Sequence, residues 1–237
     1  MGLRTKRQLV TFYKLNEGLA DLFPPTPAIK DLPQWYKDAQ SYSPKKIMKT
    51  PTSTSATVKK CVPVFDAMSS GYLLYTECDI QITQEGGSPY YMWSTGGETI
   101  TMHSKAQASL YPTTWKSDFP KWMNPWGIKT PKGYSCLFTQ PMHRESPFSV
   151  LPGIVDTDKY NNAVNIIFTL KDPKFEGVIS AGTPIVQVIP FKRNSWNYKI
   201  SKDKTEAKKT ENLRNTYFFN AYRKLFWTPK EYNNKEK

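Results

Sequence analysis

Hydrophobic and polar positions change rhythm twice along this chain. Between about residues 61 and 192 the rhythm is that of strands. The run Gly71-Tyr-Leu-Leu-Tyr-Thr-Glu-Cys-Asp-Ile-Gln-Ile82 starts apolar and then alternates, and Gly86-Gly87 marks a turn beyond it. Gly133-Tyr-Ser-Cys-Leu-Phe138 follows a Pro131-Lys132-Gly133 turn. Ala163-Val-Asn-Ile-Ile-Phe-Thr-Leu170 and Thr183-Pro-Ile-Val-Gln-Val-Ile189 are β-branched runs, separated by the turn signals Asp172-Pro173 and Ala181-Gly182. Nothing between them has a helical pattern for ten residues. The pattern predicts an all-β core with short turns. Within it, residues 105–127 carry Pro112, Pro120 and Pro125 and predict an irregular aromatic insertion.

Over residues 193–237 the period lengthens. Ala207, Leu213, Tyr217, Ala221 and Leu225 fall at helical spacing, and Phe218, Phe219, Tyr222 and Phe226 widen the apolar stripe. This predicts one C-terminal α-helix over about 201–227, docked on the β core by that stripe and ended by Pro229. Before the core, residues 1–60 are punctuated by Pro24, Pro25, Pro27, Pro33, Pro44 and Pro51, each of which removes a backbone donor and fixes φ. They predict a proline-rich N-terminal arm lying across the core and anchored by Trp35 and Tyr36. An exposed partner-binding segment is the alternative for the same residues.

Charge refines this division. The net charge is +13. Residues 1–60 hold 11 Lys/Arg against 4 Asp/Glu, residues 191–237 hold 13 against 5, and residues 61–190 hold 9 against 11. The basic character therefore lies in the ends, where it suits either a nucleic acid or other acidic partner or a solvated face. Three cysteines, Cys61, Cys78 and Cys136, show no CxxC spacing, which argues against a disulfide framework or a cysteine zinc site. The sequence has no apolar run of membrane-spanning length, and no apolar stretch follows the basic residues near Met1. A cytoplasmic location is expected, that of a host cell if the protein is viral, with no membrane partner.

Four segments resemble the trimeric dUTPase family and its dCTP deaminase relatives. Ser69-Ser70-Gly71-Tyr72-Leu73-Leu74-Tyr75 is similar to the first motif. Pro131-Lys132-Gly133-Tyr134, followed by Pro141-Met142-His143-Arg144-Glu145-Ser146, takes the place of the proline-glycine-tyrosine strand and the Arg-Ser-Gly turn. Gly153-Ile154-Val155-Asp156-Thr157-Asp158-Lys159-Tyr160 resembles the Gly-hydrophobic-hydrophobic-Asp-x-x-Tyr hairpin, and Gly182-Thr183-Pro184-Ile185-Val186-Gln187 the Gly-Asp-Arg-Ile-Ala-Gln strand. They appear in family order over roughly 64–191. More loosely, the whole chain resembles proteins of marine tailed phages. The family resemblance implies a dUTPase-like β-barrel or sandwich, a homotrimer with sites between subunits, and roles for four residues. Tyr160 would stack on the base, Asp156 would hold the sugar and orient water, and phosphates bridged by Mg²⁺ would sit near Ser146, with Gln187 on the last strand.

The departures from that pattern shape the functional expectation. Leu73 stands where the first motif carries Asp, and Glu145 puts a negative charge where phosphates would bind. Tyr160 falls one residue late, and the glycine-rich C-terminal arm is replaced by the aromatic helix. The principal expectation is a non-catalytic or degenerate dUTPase-fold protein of binding or assembly, with no cofactor. One alternative is a nucleotide pyrophosphatase or deaminase-like enzyme acting on dUTP or dCTP, using Asp156, Tyr160, Ser146 and Gln187 with Mg²⁺. The other is a single-stranded nucleic-acid binder, in which Trp115, Lys116, Lys121, Trp122 and Trp126 form the partner surface. His143 and Glu145, in His-x-Glu form, are weak metal-ligand candidates.

Overall fold

A computed structural model describes residues 9–15, 21–44, 55–108, 119–217 and 220–232. They fall into two compact units, each built from two stretches of chain: Met1–Pro27 with Gly71–Arg193, and Ala28–Ser70 with Asn194–Lys237.

The first unit contains every strand of the described residues. In chain order these are β1 (Thr11–Lys14), β2 (Thr26–Pro27), β3 (Tyr72–Tyr75), β4 (Ile80–Glu85), β5 (Ser88–Trp93), β6 (Ile100–His103) and β7 (Phe119–Trp122). They continue with β8 (Trp126–Lys129), β9 (Tyr134–Thr139), β10 (Phe148–Val150), β11 (Gly153–Val155), β12 (Ile166–Leu170), β13 (Gly177–Ile179) and β14 (Pro184–Lys192). A five-stranded sheet has the order β11-β9-β14-β3-β2, a four-stranded one β10-β12-β7-β6, and a three-stranded one β13-β4-β5; β1 pairs with β8. All pairings are antiparallel. The core of this unit is thus all-β, as the strand rhythm predicts.

Alternation explains how one apolar cluster forms between these sheets. Ile80 and Ile82 of β4, Cys136 and Phe138 of β9, Phe168 of β12, and Val186 and Val188 of β14 point inward from successive same-face positions. Each such fully buried side chain contributes roughly 1.5–3 kcal/mol relative to exposure. Trp122 is also in this cluster, 2 % exposed, stacked on Phe168 at 3.9 Å and edge-on to Phe148 at 4.8 Å. The chain enters β3 through Gly71 at φ +73°, where a Cβ would lie 2.0 Å from the carbonyl oxygen of Val188. Only glycine permits that approach of β3 to β14.

The second unit contains the α-helices: α1 (Gln34–Asp38), α2 (Val62–Ser69), α3 (Thr205–Asn215) and α4 (Ala221–Leu225). Residues 62–69 are a correction to the expected strand territory. Pro63 occupies the first turn, where its missing N–H costs nothing, and eight residues suffice to bury Met68. Helix α2 is the anchor of this unit. Tyr36 of α1 is buried, its ring 6.1 Å from that of Phe65, and its hydroxyl donates to the Lys59 carbonyl at 3.3 Å. Trp227 Nε1 donates to both oxygens of Asp66, at 3.1 and 3.0 Å, and Lys230 pairs with the same carboxylate.

The single C-terminal helix predicted from periodicity is two helices. The first ends at Asn215, and Asn220, in the left-handed region at φ +59°, immediately precedes the second. No residue of α3 is buried, Leu213 included. Phe218 and Phe219 lie outside the described residues. None of the described helices is long and apolar enough to cross a membrane.

Candidate functional site

The most concentrated chemistry in the first unit lies at the start of β9, and pairing register builds it. Strand β9 is flanked by β11 on one side and β14 on the other. Val155 of β11 pairs with Cys136, so the next residue, Asp156, arrives beside Ser135. On the other side Phe191 of β14 pairs with Ser135 and Lys192 with Tyr134, which brings Arg193 level with Gly133. The Arg193 N–H donates to the Gly133 carbonyl at 2.8 Å and closes this end of the sheet.

The side chains then meet in a closed network. Arg193 Nη1 donates to Asp158 Oδ1 at 3.0 Å and Nη2 to Asp158 Oδ2 at 2.8 Å, a fork-on-carboxylate geometry. Nη1 also lies 2.9 Å from Asp156 Oδ1 and 3.0 Å from Ser135 Oγ. The Ser135 hydroxyl donates to Asp156 Oδ1 at 2.7 Å, and the Gly133 N–H donates to Asp158 Oδ2 at 2.8 Å. The Asp158 side chain is 4 % exposed and that of Asp156 45 %.

These bonds favour the ionised carboxylates. The guanidinium of Arg193, then the Gly133 N–H, hold the Asp158 carboxyl down at about 2. The Ser135 hydroxyl, then Arg193, lower that of Asp156. Behind them Thr157 is fully buried, its Oγ1 2.8 Å from Thr130 Oγ1 and 3.3 Å from Cys136 Sγ. Burial pushes the Cys136 thiol up to about 11, against the lowering effect of Thr157, so it stays an unreactive thiol at neutral pH.

The residues singled out from sequence are not gathered into one constellation. Gln187 pairs with Thr139 in the β14–β9 register, four residues from Ser135 along β9, or about 13 Å at the usual strand rise of ~3.3 Å. Its Oε1 accepts from the Met142 N–H at 3.0 Å, which fixes the turn after β9. Ser146 serves the same turn: it accepts from Gln140 Nε2 at 3.0 Å and donates to the Phe148 carbonyl at 2.7 Å. The Tyr160 N–H donates to the Asp156 carbonyl at 2.9 Å, but its half-exposed ring leads to a hydroxyl that donates to the Ala163 carbonyl at 3.1 Å. Asp156 and Tyr160 therefore share a backbone turn, while Ser146 and Gln187 belong to the opposite end of β9. Leu73, where the first motif would place an acid, is fully buried in β3.

The remaining candidates divide in the same way. His143, at φ +57°, and Glu145 are exposed in the loop between β9 and β10. Among the described residues no group of three His, Cys, Asp or Glu side chains is placed to hold a metal ion. A Mg²⁺ ion does not fit the Asp156–Asp158 pair as arranged, because three oxygens face donors and the Arg193 cation occupies the position between the carboxylates. In the aromatic segment, Trp115 and Lys116 lie outside the described residues. Trp122 corrects the expected partner surface, since stacking on Phe168 consumes its ring. Trp126 is half-buried against the same core, and Lys121 is half-buried on β7. Sequence reasoning passed over Arg193 and Ser135. The signal for Arg193 was positional: a lone Arg just past the last strand, at the level of the Gly133 turn.

No family model matches the sequence, and no curated protein matches it. Among solved structures, a point mutant of the dUTPase from phage phi11 of S. aureus aligns over 82 % of this chain and 97 % of its own, with 11 % identity and TM-score 0.34. A point mutant of the Staphylococcus bacteriophage 80alpha dUTPase with dUpNHpp aligns over 82 % and 89 %, with 10 % identity and TM-score 0.33. Likeness at these scores carries no argument about the site or the activity, and the all-β assignment stands on the strands themselves.

Proposed function

We propose that this chain is a non-catalytic protein of binding or assembly, built on a dUTPase-like β scaffold whose hairpin carboxylates have become structural. The observation that carries the proposal is the bond network in which Arg193 joins Asp156, Asp158 and Ser135. A general base or a metal-binding carboxylate must offer an oxygen to water or to a cation. Here the chain's own guanidinium takes that place, and the remaining candidate groups of the family pattern face backbone amides and carbonyls elsewhere. The buried Leu73 supports the same conclusion, because an acid there would be desolvated without a partner.

Assembly as a homotrimer, with a cytoplasmic location, completes the proposal; the motif resemblance is its support. Light scattering on the purified full chain tests the assembly, and a monomer at all concentrations would remove it. The loss of catalysis is tested by thermal shift with dUTP or dCTP and Mg²⁺. No stabilisation is expected. A ligand-dependent rise in melting temperature that disappears in Asp156→Ala would replace this proposal with the nucleotide enzyme.

A further inference from the structure

From Asn194 to Tyr217 every residue of the chain is exposed. Residues 194–204 run without helix, turn or bend, and the backbone of 194–200 makes no hydrogen bond to another described residue. At alternate positions this segment carries three large apolar side chains, Trp196, Tyr198 and Ile200, at 85 %, 93 % and 92 % exposure. So large an apolar surface left in water on one short segment calls for a partner. The following helix α3 has 11 residues and buries none of them, a length at which an isolated helix is marginal in water.

Charge selects the partner's chemistry. Between Asn194 and Lys204 stand Lys199, Lys202 and Lys204 against one acid, Asp203. That acid is already engaged, since its Oδ1 accepts from the Thr205 N–H at 2.9 Å and from the Thr205 hydroxyl at 2.6 Å. The partner must present negative charge together with flat apolar faces. The bases of a single strand supply such faces, stacking on aromatic rings, and its backbone supplies the negative charge.

We infer that residues 194–204 are a binding segment for single-stranded nucleic acid. Trp196 and Tyr198 stack with the bases, and Lys199, Lys202 and Lys204 meet the phosphates. This inference goes beyond the proposed loss of catalysis and does not depend on it. It also moves the nucleic-acid surface away from Trp122, which the core consumes.

The test is fluorescence anisotropy of a labelled thymidine homo-oligomer with the full chain, over a range of salt. Binding is expected, with a log–log salt slope of about −2 for three phosphate contacts on a single strand. Trp196→Ala and Tyr198→Ala should each weaken it roughly tenfold or more, and Trp196→Phe much less. Because these side chains are solvent-exposed, the variants should melt with the wild type. A duplex of the same length should bind more weakly, its bases being unavailable to the rings. No anisotropy change at low salt would overturn the inference, as would affinity unaltered in both alanine variants or tighter binding to the duplex. Self-association lost in Trp196→Ala, without oligonucleotide binding, would assign the segment to a second copy of the chain instead.

Discussion

Arg193 grips Asp158 through two parallel N–H···O bonds of 3.0 and 2.8 Å, across a separation of 35 residues in sequence. The pair joins the end of the last strand to the turn that follows β11, and the Gly133 N–H adds a third bond to the same carboxylate. This arrangement has a pH signature. The Asp158 carboxyl is held at about 2 in the folded chain, below its ordinary value of 3.8. A depressed carboxyl contributes stability above its unfolded value and loses it as pH falls through the folded one. The contribution is therefore complete above about pH 4 and fades toward pH 2. Melting curves of wild type and Asp158→Asn should be separated by a constant several degrees from pH 5 to 7 and converge toward pH 2. Curves that coincide throughout would mean the pair contributes nothing.

Gly71 makes a second prediction. A Cβ at this residue would sit 2.0 Å from the Val188 carbonyl oxygen, at a φ of +73° that other residues reach only with strain. Gly71→Ala must push β3 away from β14 within the five-stranded sheet. A loss of more than about 2 kcal/mol is expected by urea denaturation. A loss below about 0.5 kcal/mol, the range of an ordinary surface change, would contradict the close strand approach.

Trp122 separates a core role from a surface one. Its ring packs against Phe148 and Phe168, while its Nε1 is buried with no hydrogen-bond partner among the described residues. Trp122→Ala should cost about 3–5 kcal/mol through the cavity it leaves. Trp122→Phe should cost much less, since it removes an N–H that gains nothing from its surroundings. If both substitutions leave the denaturation midpoint unchanged, Trp122 is not in the core.

What the sequence disclosed follows from how local each signal was. Strands β4, β9, β12 and β14 were legible because inward residues such as Ile80, Phe138, Phe168 and Val188 alternate over several positions. Helix α2 was hidden by a β-branched start, Val62-Pro63-Val64, though its eight residues are short enough for context to decide. The break between α3 and α4 was invisible because the apolar spacing runs on through it, from Leu213 to Ala221 and Leu225. At the candidate site, Asp156 and Tyr160 were found through a local motif. Their actual environment was not, since Ser135 lies on β9 while Asp156 and Arg193 follow the strands paired on its two sides, β11 and β14. The exposure of Trp196 and Tyr198 is likewise a tertiary fact, for aromatic residues near a strand end read as core until a structure leaves them uncovered.

The central claim is that Arg193 has taken the carboxylates a nucleotide site would use. It is tested most directly by a ¹³C NMR titration of the Asp158 side-chain carboxyl, alone and with dUTP and Mg²⁺. A midpoint near 2 that neither addition moves is the predicted result. A midpoint at the ordinary value of 3.8, or a resonance displaced by nucleotide and metal together, would show a carboxylate free for chemistry and contradict the account.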